Sequence, residues 1–91
     1  MPYEIILNGR VQGVGCRYYC GKVGQSLGLH GAASNQGDGS VQVILDTDSR
    51  DMAQNYADAL TLNSFNLDFY GRIQSATVRT AYCEVAGEYE W

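Results

Sequence analysis

Between positions 9 and 17 the chain reads Gly-Arg-Val-Gln-Gly-Val-Gly-Cys-Arg, with three glycines in seven residues and an arginine at the end. A glycine-spaced loop between a strand and a helix can turn successive backbone N–H groups inward and set an anion at the helix N-terminus. Arg17, in the first turn of that helix, adds two parallel charge-assisted bonds to the same anion. The pattern is a small cradle for phosphate or carboxylate. The nucleotide-binding pattern GxxxxGK[ST] is absent. A thiol nucleophile does not fit either, because Cys16 abuts Arg17 and no cysteine has an arginine six positions later.

Such a cradle needs elements that hold it. Residues 3–8, YEIILN, predict a strand leading in, apolar on both faces at Ile5, Ile6 and Leu7. From Arg17 to Leu27 the apolar positions Cys20, Val23 and Leu27 form a helical stripe. Gly21 and Gly24 lie inside it, each costing about 1 kcal/mol relative to Ala, so a close neighbour is expected there. Gly28 suits the helix C-terminus. Residues 30–35 predict a second strand, Gly37 to Ser40 a hairpin turn, and Ser40 to Asp46 a third strand.

Thr47, Asp48 and Ser49 offer caps for a second helix, whose inner face carries Met52, Tyr56, Ala59 and Leu60 and which ends near Leu62. After a loop over 63–68, residues 70–82 and 83–91 read as two extended segments. The order β-α-β-β-α-β predicts an α+β, ferredoxin-like split-βαβ sandwich: an antiparallel sheet with both helices on one face. Many functions share that architecture.

Composition narrows the field. At 91 residues, 45% hydrophobic and 18% charged, the chain predicts one globular domain spanning 1–91. A net charge of −4 argues against nucleic acid or an anionic membrane as partner, and against Tyr18 and Tyr19 as an RNA-stacking pair. The start Met1-Pro2-Tyr3-Glu4 lacks a signal-peptide core and no apolar run reaches membrane-spanning length, which predicts a cytoplasmic location. One His and three Cys without CxxC spacing predict no metal site. Arg10, Arg50, Arg72 and Arg79 read as solvated faces or surface ion pairs, and His30 as structural or exposed.

Asp46-Thr47-Asp48 looks like an aspartyl-nucleophile motif, but that chemistry needs a larger doubly wound domain, and only 43 residues follow Asp48. A calcium loop fails because Asp51 stands where glycine is needed. Cys20 and Cys83 are expected as two buried thiols, with a disulfide between them as the alternative.

Three blocks, GRVQGVGCR at 9–17, LGLHG at 27–31 and SNQGDGSVQV at 34–43, resemble the acylphosphatases in residues and spacing, and the resemblance extends over essentially the whole chain. It implies a ferredoxin-like cytosolic monomer that hydrolyses the carboxyl–phosphate bond of small acyl phosphates without metal or cofactor. Inorganic phosphate or sulfate would be a ligand of the same site. Carried over by position, Arg17 binds the phosphate and Asn35 orients the attacking water. The amides of Gln12, Gly13, Val14, Gly15 and Cys16 wrap the phosphoryl oxygens. The family usually has Phe where this chain has Cys16, so a smaller anchor and a looser cradle are expected. The rival from another class is a non-catalytic anion-binding module on the same scaffold.

Overall fold

Ile5 and Leu7 alternate with Glu4 and Ile6, and that period places one apolar row of the first strand against a helical layer. In a computed structural model describing residues 1–91, the first strand, β1, runs from Tyr3 to Arg10. Helix α1 spans Cys16–Ser26, β2 Gly31–Asn35, β3 Val41–Leu45, α2 Arg50–Leu62, β4 Arg72–Thr80 and β5 Tyr89–Glu90. All five strands pair antiparallel, in the order β4-β1-β3-β2-β5. The predicted α+β ferredoxin-like arrangement is present. Residues 83–91 differ from the expected long strand, since only Tyr89 and Glu90 pair, with Ala33 and Ala32.

The core cluster holds 17 buried residues. Ile5, Leu7, Val41, Val43 and Ala33 from the sheet meet Tyr19, Cys20 and Val23 of α1 and Ala53, Tyr56 and Leu60 of α2. Ser49 caps α2 by accepting the Met52 N–H at 3.2 Å. At the end of α1, Gly28 takes φ +72, and the Leu29 N–H reaches the Gly24 carbonyl at 2.8 Å, closing a Schellman turn.

Two tyrosines carry polar groups into this core and satisfy them. Tyr19 donates to the Leu60 carbonyl at 2.6 Å and Tyr56 to the Cys20 carbonyl at 2.7 Å. Burial pushes the Tyr19 phenol up to about 12, and burial drives Tyr56 in the same direction. The unfolded chain releases these protons near pH ~10. Between that pH and about 12 the folded chain therefore binds the extra protons, and stability falls as pH rises through this window. Urea titrations at pH 9, 10 and 11 should show the decline, and Tyr19→Phe should make it shallower, with Tyr56 supplying the remainder.

Gly21 and Gly24 receive their close neighbour from the far end of the chain. The indole of Trp91 lies on α1, so a Cβ at Gly24 would fall 2.8 Å from its Cε2. The indole N–H donates to the Leu29 carbonyl at 3.0 Å. Trp91 is the single tryptophan, so its fluorescence reports this docking directly. Gly24→Ala should expel the ring, red-shift its emission and cost about 1–3 kcal/mol in chemical denaturation. An unshifted spectrum would mean that the indole is held elsewhere.

The thiols depart from expectation. Cys20 is buried as predicted, but Cys83 is exposed beyond β4, and neither forms a disulfide. Cys20 instead faces Cys16, Sγ to Sγ at 3.9 Å, one helical turn away.

Candidate functional site

The sheet order brings the site together. β1 and β2 each run antiparallel to β3, so they share a direction and their carboxyl ends lie at one edge of the sheet. The glycine loop leaves the end of β1 and feeds α1, whose first turn holds Arg17. Asn35 is the last residue of β2. Two residues eighteen positions apart thus face one cavity of about 310 Å³. Gly13, Gly15, Cys16 and Arg17 line one side of it, with Asn35, Glu88 and Tyr89 on the other.

The loop is held from several directions. Gly15 caps α1 in the left-handed region at φ 79, and Gly13 also has positive φ. The amides of Gly13 through Tyr18 donate to no backbone acceptor, and no side chain caps the helix. Unpaired N–H groups at a helix start are free to meet an acceptor from outside the chain. Gln12 turns away from the cavity: its Nε2 donates to the carbonyls of Gln36 and Ser40 at 2.7 and 2.9 Å, latching the loop to the β2–β3 turn. Val14 points into the core, where it packs beside Gly71.

Cys16 is almost fully buried, and its sulfur turns toward Cys20. The Cys20 hydrogen bond lowers its pKa, burial opposes that effect, and the Arg17 charge adds to the lowering. The same contact, with burial, pushes the Cys20 thiol up. A sulfur pair thus stands beneath the loop where the resemblance leads one to expect an aromatic ring.

Glu88 has no counterpart in the sequence reading. Its Oε1 accepts from Arg17 Nη1 at 3.1 Å and from the Asn35 backbone N–H at 2.7 Å. One carboxylate oxygen therefore sits between the predicted phosphate arginine and the predicted water-orienting asparagine. No local signal marks Glu88, because β5 pairing carries it there: Tyr89 opposes Ala33, and the Glu88 N–H donates to Ser34 Oγ at 2.9 Å. Val11, Tyr18 and Tyr89 were likewise missed as cavity residues.

A model of the acylphosphatase family matches residues 3–81. The chain belongs to the acylphosphatase family. It is 46% identical to an acylphosphatase of Deinococcus radiodurans over 48 residues, covering 53% of this chain and 55% of that protein. Against an acylphosphatase of Rhodopseudomonas palustris it is 43% identical over 42 residues, 46% of this chain and 42% of that one. The chain thus spans about half the length of the curated relatives it matches. The crystal structure of acylphosphatase from Bacillus subtilis superposes with a TM-score of 0.71 at 26% identity, covering 91% of this chain and 87% of that one. The acylphosphatase match therefore includes the loop, Arg17 and Asn35, but stops short of Glu88. No helix is long and apolar enough to cross a membrane.

Proposed function

We propose that the chain is an acylphosphatase: one domain over residues 1–91, acting in the cytoplasm as a monomer, that hydrolyses small acyl phosphates to carboxylate and inorganic phosphate. The observation that carries this reading is the convergence of the Arg17 guanidinium and the Asn35 backbone N–H on one anionic oxygen of Glu88, at 3.1 and 2.7 Å. A phosphoryl oxygen in that position would take the same donors. The remaining phosphoryl oxygens would meet the amides of the 12–16 loop and the start of α1.

The chemistry asks for little beyond this. Phosphoryl transfer is accelerated by positioning and charge stabilisation more than by covalent help. In the proposed step a water held by the Asn35 side chain attacks phosphorus in line with the acyl oxygen. The new P–O bond forms as the acyl O–P bond breaks, and its electron pair leaves with the carboxylate. Carboxylate is a weak base, so no general acid is needed. The water proton passes to a phosphoryl oxygen of the substrate. Asn serves this role because it offers a donor and an acceptor without a charge that would repel the phosphate.

Benzoyl phosphate hydrolysis by the wild type and Asn35→Ala tests the reading. We expect kcat to fall about 10²–10³-fold in the variant, with inorganic phosphate still bound through Arg17. Phosphate binding without wild-type turnover would identify the chain as a non-catalytic anion-binding module.

A further inference from the structure

The last residues form a strap. β4 ends at Thr80 opposite Tyr3, at the end of the sheet far from the cavity. From there the chain must return to reach β2, and Gly87 lies against Ala32 and Ser34 on the way. Tyr89 and Glu90 then extend the sheet, and Trp91 docks on α1. Both ends of the strap are thus tied, and its one carboxylate in the cavity is delivered to Arg17.

We propose that Glu88 is a tethered competitor for the anion site, which sets a threshold that phosphoryl groups cross and simple carboxylates do not. The proposal rests on the reading of Arg17 and the 12–16 loop as the phosphate site. Glu88 takes Arg17 Nη1 and the Asn35 N–H but leaves the loop amides unused. A free carboxylate can offer Arg17 only what Glu88 already supplies, and a short tether holds Glu88 at an effective concentration on the order of millimolar or above. A phosphoryl group carries more charge and a third oxygen for the amides, so it displaces the side chain. Glu88 is half exposed, and rotation of its side chain alone clears the site while the strap stays docked. The carboxylate released by hydrolysis is then also a poor inhibitor.

The test is calorimetric titration with inorganic phosphate of the wild type, Glu88→Gln, Glu88→Ala and Arg17→Ala, together with benzoyl phosphate kinetics in the presence of benzoate. Because Gln keeps the shape and an acceptor oxygen, Glu88→Gln should fold as the parent does. Both Glu88 variants should bind phosphate about two- to fivefold more tightly, as expected for removal of a half-exposed ion pair. Their KM should fall by a similar factor, and benzoate should leave the wild type uninhibited but inhibit Glu88→Ala. Phosphate affinity equal to or weaker than that of the wild type in both variants would overturn the proposal. So would a drop in kcat with KM unmoved, which would make Glu88 a residue that positions Arg17. Wild-type phosphate affinity in Arg17→Ala would instead overturn the site itself.

Discussion

Arg17→Ala should lower kcat/KM for benzoyl phosphate by about 10³-fold, since arginines that stabilise phosphoryl transfer are worth ~10³–10⁵ and this one stands in a partly open site. Its side chain retains 42% exposure, which places the effect at the lower end of that range. The loss should be catalytic and not structural. Within the chain the guanidinium has one half-exposed partner, Glu88, and such a pair contributes about 0–1 kcal/mol to stability. Melting temperature should therefore move by only a few degrees while activity collapses. Arg17→Lys should recover little, because a lysine restores the charge but not the planar fork that binds two oxygens at once. Equal rates in wild type and Arg17→Ala would remove Arg17 from the phosphate site.

Gly9→Ala should be the most destabilising single change near the cavity, and for a backbone reason. Gly9 has φ +130, a region closed to residues with a Cβ. It sits where the β1–β4 register shifts, between the pairs Asn8–Ser75 and Gly9–Ile73. A Cβ there would lie 2.8 Å from the Gln74 nitrogen and closer still to the Arg72 carbonyl oxygen. Those are backbone atoms of the neighbouring strand and cannot swing aside. Strain of about 1–3 kcal/mol plus the displaced pairing suggests a total near 3–4 kcal/mol. For a domain of this size that corresponds to a drop of roughly 15–25 °C in melting temperature. Thermal unfolding followed by circular dichroism would check it, and a shift under about 3 °C, the equivalent of less than 1 kcal/mol, would show that the bulge can relax.

The two variants separate the roles of one short segment. Gly9 lets β1 end in a bulge that aims the loop, and Arg17 uses the loop's far end. Gly13 and Gly15, on either side of Val14, adopt positive φ values that a Cβ would strain. The excess of glycine in the first half of the chain is thus divided between positive-φ turns and close packing. Gly21 and Gly24 belong to the second use, with Tyr89 nearest to Gly21 and Trp91 nearest to Gly24.

Much of this was readable along the chain. Hydrophobic period gave both helices to within a residue or two, and the capping residues Ser49 and Gly28 stand where their chemistry suits helix ends. The glycine loop between β1 and α1 was legible because its parts are consecutive, from strand through glycines to the helix that holds Arg17. Asn35 entered through resemblance, and its place beside Arg17 follows from topology once β1 and β2 are seen to share a direction. The end of the chain was not legible. Cys83 to Trp91 has no period, and its course depends on contacts distant in sequence: Gly87 on Ala32, Tyr89 opposite Ala33, Trp91 on Gly24.

Local residue order therefore accounts for the elements and for the glycine loop that joins β1 to α1, because propensity, capping and backbone conformation act over a few residues. The tertiary structure alone decided that Cys83 lies outside the core and that Trp91 docks on α1 at Gly24. It also decided that Glu88 reaches Arg17 across 71 positions. Such choices turn on which surfaces a strand edge and a tryptophan can bury, and no window along the chain contains both partners.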